Sequence, residues 1–281
     1  MAKPLVLVVG LGEVGLPLFE LLKQSNKFDL YCWDIDKEKM QDSQQDNLPK
    51  KVDVMYICYR CGKQADFVNI TENYVKKFNP ELTIINSTVP PGTTKRIHKL
   101  LGGHVVHSPI RGMHESRAIM KRDMLFWTKY IGGVDTESSE LARRHFEELG
   151  LKTKILKSSI DTELAKIFST TYRAWMIACF QELHRISRAF GADFDQVTDF
   201  LEDTHKVRFD RPVHFPGVIG GHCLVSNSEL LLESYDSEFV KLILRSNEKR
   251  KKEMEDPKIA DEVGKVKDKV KAFEAEFVKR K

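Results

Sequence analysis

Three stretches of the chain carry residue types that could do chemistry. The first is GLGEVG, where Gly10, Gly12 and Gly15 follow a run of aliphatic residues and open an amphipathic segment, with Glu13 and Val14 between them. In this spacing the first glycine permits a tight turn and the second lets backbone approach a pyrophosphate. The third lets a helix pack closely on a strand. The phosphate charge would then meet the N-terminus of the helix, where N–H groups and the dipole favour it. Asp34 closes the next aliphatic run. A carboxylate there accepts both ribose hydroxyls and repels a 2′-phosphate, so the expected cofactor is NAD rather than NADP.

The second stretch is PGVIGGHC, in which Gly220, Gly221 and His222 lead into Cys223. A thiol presented on such a turn can attack a bound carbonyl, or it can fill a small gap beside glycines. The third is a long, mainly apolar segment carrying Lys166, with Glu163 one helical turn earlier. Lysine is rarely buried without a partner or a task, and Glu163 on the same face could orient it. Arg111 could clamp an anionic substrate in bidentate fashion or remain a surface charge. His107, His114 and His222 fall near expected strand ends. Cys58 and Cys61 form a lone CxxC with no second pair and no histidine cluster at zinc spacing, so no metal site is expected.

These residues need a scaffold, and the chain alternates aliphatic runs with amphipathic ones over residues 1–157. PLVLVVG, DLYCWDID, VDVMYICY, LTIINSTV, HVVHSPI, KYIGGV and KTKIL read as strands, with helices such as VGLPLFELLKQ, FVNITENYVKKF and SSELARRHFEELG between them. That alternation predicts an α/β fold, with an N-terminal Rossmann-type parallel sheet covered on both faces and right-handed connections. Residues 158–246 then form an all-helical domain. It opens on a long central helix that stops at Gly191, continues with a helix over FDQVTDFLED, and ends in one near 228–246 after a Pro/Gly-rich stretch. Its apolar residues on several sides point to several packing partners. In the charged tail, 247–281, Ile259, Val263, Val266, Val270, Phe273 and Phe277 step as a heptad seam. This suits a helix docked on a body or on a partner, with a solvated helix as the alternative.

Composition narrows the class. A formal charge of +4, with 41% hydrophobic and 31% charged residues, describes an ordinary polar surface, and nucleic-acid binding is not expected. No apolar run has membrane-spanning length. Five cysteines with no signal peptide ahead of the first strand suit a reducing, cytoplasmic setting.

INSTVPPGTT (85–94), ELAKIFSTTYRAWMIACFQEL (163–183) and PGVIGGHC (216–223), in this order after the glycine turn, resemble the UDP-glucose/GDP-mannose dehydrogenase family over residues 4 to 232. The resemblance implies two successive NAD-dependent oxidations of a hydroxymethyl group. A cysteine captures the intermediate aldehyde as a thiohemiacetal, the adduct is oxidised to a thioester, and water releases the acid. It implies that Cys223 is the nucleophile, that Lys166 stabilises oxyanion charge, and that Thr88 lies near the nicotinamide. Substrate contacts would come from Arg111, Glu163 and the Gly220–Gly221–His222 turn. The long helix over 160–190 would form a homodimer interface.

The sequence also departs from the family pattern. Ile110 stands where the family usually has glutamate, Thr170 where it has asparagine, and Asn227 where it has aspartate. The resemblance still implies catalytic positions for Thr170 and Asn227. Loss of the two carboxylates removes the obvious general bases, though a desolvated lysine could serve as one. The stretch after Cys223 is also too short for the second Rossmann-like domain of the family, so a shortened form is expected.

The leading expectation is an NAD-dependent oxidoreductase that oxidises a primary alcohol of a sugar-like small molecule through a cysteine adduct. Two alternatives stand beside it. One is a single-step hydroxyacid-type dehydrogenase, similar in layout to the 6-phosphogluconate and β-hydroxyacid families, that relies on Lys166. The other is a non-catalytic NAD-binding protein.

Overall fold

Val6 to Val9 are wholly buried in the first strand, as a continuous aliphatic run requires when both faces of a sheet are covered. The computed structural model describes residues 2–40, 48–112, 116–221 and 223–279. Contacts divide the chain into two units, Met1–Ile167 and Phe168–Lys281.

The first unit is a seven-stranded sheet. Its strands are β1 (Leu5–Val9), β2 (Asp29–Trp33), β3 (Val54–Ile57), β4 (Leu82–Ile85), β5 (His104–His107), β6 (Lys129–Gly133) and β7 (Thr153–Ile155). They lie in the order β2-β1-β3-β4-β5-β6-β7. Helices α1 (Gly15–Ser25), α2 (Gln64–Phe78), α3 (Thr93–Leu101), α4 (Arg117–Phe126) and α5 (Thr136–Glu148) connect them. The chain reverses between β1 and β3, which creates the switch point where ligands bind in such sheets. One core cluster joins Val6, Val8, Tyr56 and Ile84 from the strands with Leu22, Met120 and Phe146 from α1, α4 and α5.

The sheet is not wholly parallel. β6 runs antiparallel to β5, pairing Val106 with Gly133 and His107 with Gly132, and β7 is parallel to β6. The cause is α4, which packs against α1 and delivers the chain, after only Trp127 and Thr128, to the edge where β5 ended. Lys129, the first residue of β6, therefore sits beside the C-terminal ends of β4 and β5.

The second unit is helical. It takes the larger part of α6 (Ser159–Ala189), with α7 (Phe194–Arg208), α8 (Leu224–Ser234), α9 (Glu238–Glu253) and α10 (Pro257–Lys279). The helix expected near 228–246 is two helices. Tyr235 leaves helical backbone, and the Ser237 side chain accepts the Val240 amide to cap α9. The tail begins afresh at Pro257, a residue well suited to a first helical turn. Val263 and Val266 of its seam are fully buried; Val266 packs with Phe180 and Phe194, and Val270 lies partly against them. The side chains of Phe273 and Phe277 lie outside the described residues, as do His114 and His222. No helix among the described residues is long and apolar enough to cross a membrane.

Candidate active site

The three glycines of the first turn do different work. Gly10 has φ +91°, and a Cβ there would meet Tyr59 N at 2.7 Å. A Cβ on Gly15 would fall 1.7 Å from Gly10 O, so α1 presses directly on the strand end. On Gly12 a Cβ would meet nothing within 4 Å. The turn is thus closed by its outer glycines and open at the middle one, the cradle a pyrophosphate needs. Glu13 and Val14 lead into α1, whose N-terminus carries no side-chain cap. Asp34 joins the same site: its Oδ2 accepts the Leu11 amide at 2.6 Å and its Oδ1 the Asp36 amide at 2.9 Å. Ile35, beside it and 91% exposed, offers an apolar face that the sequence reading passed over.

Further along the strand ends, Asn86, Ser87 and half-buried Thr88 follow β4. Asn86 Nδ2 donates to Cys58 Sγ at 3.5 Å, and burial pushes the Cys58 thiol up to about 11. Cys61 is buried as well. His107 is wholly buried, with Nε2 on the Ser87 carbonyl and Nδ1 on the Thr162 hydroxyl. Burial lowers its pKa to about 3, so it is a neutral structural imidazole.

Lys166 Nζ donates to the Ile110 carbonyl at 2.7 Å. The position where the resemblance calls for glutamate is therefore a backbone anchor, and the Ile110 side chain lies in the core. Glu163 departs from the expectation that it orients Lys166. Its Oε2 accepts the Gly92 amide at 2.6 Å, and its Oε1 accepts the Thr94 amide at 2.9 Å and the Thr94 hydroxyl at 2.6 Å. The carboxylate is held at the start of α3, where free amides attract it. Burial raises its pKa against the pull of those hydrogen bonds. Arg111 is likewise engaged. Its Nη2 donates to Thr128 O at 3.0 Å, and its guanidinium lies over the rings of Trp127 and Tyr130. A small, largely apolar cavity lined by Ile110, Arg111, Trp127, Lys129 and Phe146 lies beneath it.

In the helical unit, Gly220 and Gly221 are exposed, Gly221 with φ +75°. Cys223 is half-buried, not in a disulfide, and occupies the N-cap position of α8. Asn227 sits one turn into α8, where its amide donates to Cys223 O at 2.9 Å and its Nδ2 to Thr170 Oγ1 at 3.1 Å. The two residues at departed family positions are thus bonded to each other. No cluster of three metal-ligating side chains occurs among the described residues. Sequence reasoning missed Lys129, a buried lysine in the first unit.

The fold and this glycine turn define a Rossmann-type unit carried with a helical unit, an architecture shared with solved nucleotide-sugar dehydrogenases. A UDP-D-ManNAc dehydrogenase from Pyrococcus horikoshii superposes with TM-score 0.72 at 23% identity, covering 87% of this chain and 68% of that one. The 3-hydroxyisobutyrate dehydrogenase of Mycobacterium tuberculosis superposes with TM-score 0.65 at 13% identity, covering 94% of this chain and 99% of that one. In sequence, the UDP-N-acetyl-D-mannosamine dehydrogenase of Methanocaldococcus jannaschii is 28% identical over 86% of this chain. The alignment takes in 64% of that relative, so this chain spans about two thirds of its length. Residues 160–249 match the UDP-glucose/GDP-mannose dehydrogenase family, central domain. The chain is thus similar to members of that family over most of its length.

Proposed function

We propose that this chain is an NAD-dependent dehydrogenase that oxidises a primary alcohol of a sugar-like substrate, in the manner of the nucleotide-sugar enzymes it resembles. The observation that carries the reading is the glycine turn, open at Gly12 and tied to Asp34 through the Leu11 amide. Gly12 and the α1 N-terminus would hold the pyrophosphate, Asp34 the adenosine ribose, and Ile35 the adenine face. NAD, when bound, supplies a two-electron acceptor for hydride.

The chain supplies the rest. Cys223 Sγ attacks the carbonyl carbon of the aldehyde, the C–S bond forms, and the carbonyl oxygen takes up the charge and then a proton. The N-terminus of α8 favours negative charge on the sulfur before attack. Lys166 stabilises the oxyanion. Asn227 and Thr170 can bind and orient water but, as amide and hydroxyl, cannot serve as strong bases.

That absence of carboxylates, with Ile110 packed in the core, favours a second reading: a single oxidation of a hydroxyacid-type substrate that uses Lys166 and leaves the cysteine aside. Incubation with NAD and a panel of sugars, sugar nucleotides and hydroxyacids separates the two. Two NADH per substrate, abolished by Cys223→Ser, supports the adduct mechanism. One NADH, indifferent to Cys223→Ser and lost in Lys166→Ala, supports the second reading. NAD binding without turnover on any substrate defeats both.

The same reading makes the protein a cytoplasmic homodimer through α6. Tyr172 is 66% exposed on this helix and Phe190, just past its end, 85%, apolar surface that a second copy would cover. Light scattering of the full chain and of residues 1–247 tests this, and monomers in both cases defeat it.

A further inference from the structure

Lys129 is a buried amine that the reading above does not use. Its side chain enters beneath two strand-end turns. Nζ donates to Asn86 Oδ1 at 2.9 Å and to the Ser108 carbonyl at 2.6 Å. Asn86 directly follows β4, two residues before Thr88, and Ser108 directly follows β5. The residue is 6% exposed, and Nζ lies 5.2 Å from the ring centre of Phe146 on α5. A neutral amine has two N–H donors and an ammonium three. Both forms satisfy the two acceptors, so the lysine can change charge without releasing either turn.

The charged and titratable groups around it come from several elements. Cys58 faces it from the end of β3 and His107 from β5; burial holds the first as a thiol and the second as a neutral imidazole through the neutral pH range. Arg111 approaches from the segment after β5 and Lys166 from α6, while α5 presents Phe146. Burial, reinforced by the Lys166 and Arg111 cations, lowers the Lys129 pKa to about 7.

Its place in the sheet supplies the functional link. Asp34 ends β2, the glycine turn ends β1, and β4 lies three strand steps from β2, ~14 Å at ~4.8 Å per strand. An extended dinucleotide with its ribose on Asp34 and its pyrophosphate over Gly12 runs along this edge toward the Asn86–Thr88 turn. Its two redox forms differ by one hydride on the nicotinamide ring, and therefore by the one positive charge that the oxidised ring carries.

We propose that Lys129 is an electrostatic discriminator beneath the nicotinamide end of the dinucleotide site: its ammonium disfavours the oxidised cofactor relative to the reduced one, and its neutral amine removes that bias. It acts through its field and through the turn it holds, without touching the cofactor. The inference rests on the NAD reading of the glycine turn. At an effective dielectric of ~20 and a separation of ~10 Å, one charge changes the ratio of the two affinities on the order of tenfold.

The test is calorimetric titration of the full chain with NAD⁺ and with NADH from about pH 6 to about pH 8.5, for wild type, Lys129→Met and Lys129→Arg. In the wild type the ratio of the NAD⁺ to the NADH dissociation constant is expected to fall roughly tenfold across this range. Lys129→Met holds the low ratio throughout and Lys129→Arg the high one. A lysine with only a structural role would move both constants together and leave their ratio alone. A ratio that is flat in the wild type, or one whose pH dependence survives in Lys129→Met, overturns the inference while leaving the NAD reading intact. Failure of the wild type to bind either form overturns both. If Lys129→Met does not fold, the wild-type series and Lys129→Arg still decide.

Discussion

Glu163 grips Thr94 twice, through the amide at 2.9 Å and the hydroxyl at 2.6 Å, and its other oxygen takes the Gly92 amide. A carboxylate near the start of α6 thereby caps α3 and fixes the STVPPGTT turn that carries Thr88. Glu163 positions that turn, and Lys166 one helical turn later is anchored on Ile110 O. Two stretches of the family resemblance, remote in sequence, are one mechanical unit.

Because both Glu163 oxygens accept, Glu163→Gln must turn its NH₂ toward a backbone N–H. One buried amide then loses its acceptor, which costs about 1–3 kcal/mol. Urea denaturation of the full chain measures this. An unchanged midpoint would show that the cap contributes nothing.

The glycine turn separates folding from binding. Gly15→Ala drives a methyl into Gly10 O and is expected to destabilise the first unit by about 3 kcal/mol or more. Gly12→Ala meets open space and is expected to hold stability within about 1 kcal/mol, while it weakens dinucleotide binding at least tenfold. Thermal melts paired with NAD titration check both variants. Equal loss of stability in the two would contradict the division of labour.

Much of this was legible in the sequence, and the parts that were not have physical reasons. Aliphatic runs such as LVLVV mark buried strands, and the Gly10–Gly15 spacing with Asp34 at the end of β2 marks the turn, because both are local patterns. Strand direction is not local: KYIGG has the same composition whichever way β6 runs, and only the packing of α4 on α1 decides it. Glu163 looked like a partner for Lys166 because helical spacing was the available guide; its actual acceptor role depends on residues 69 and 71 positions away. Lys129, at the head of a strand, reads as an ordinary edge lysine until the antiparallel turn carries it under β4 and β5. The break at Tyr235 to Ser237 was readable, since a serine ahead of an acidic first turn is a capping signal.

Acid should weaken the first unit through two buried histidines. Burial lowers His107 to about 3 and His145 to about 4; the latter is hydrogen-bonded to the Tyr56 hydroxyl at 2.7 Å. Both folded-state values lie below the ordinary 6.5, so the unfolded chain binds the extra protons. Their contribution is complete above about pH 6.5 and is lost as pH falls toward the folded values, at up to ~1.4 kcal/mol per pH unit for each histidine. His145→Phe removes one of them, so its stability should fall less steeply from pH 6.5 to pH 4.5, whatever its absolute value at pH 7. Denaturant midpoints across that range give the slope, and parallel curves would rule His145 out.

The charged tail carries a last prediction, because its seam is buried at Val263 and Val266. Val266 is fully buried with Phe180 of α6 and Phe194 of α7. Four residues earlier, Glu262 pairs with His184 at 3.1 Å and with Arg188 at 2.9 Å. The apolar contact matters more of the two, since ion pairs near a surface contribute about 0–1 kcal/mol, whereas removing buried methyl groups forfeits transfer energy and leaves a cavity. Val266→Ala should therefore destabilise the helical unit by about 1–3 kcal/mol, and Val266→Asp by more, because it also buries an unpaired charge. Lys265→Ala, one residue away on the exposed face, should stay within about 0.5 kcal/mol of wild type. Denaturation with limited proteolysis of α10 reads out all three variants. A tail cleaved equally fast in wild type and Val266→Asp would show that α10 is not held by this seam.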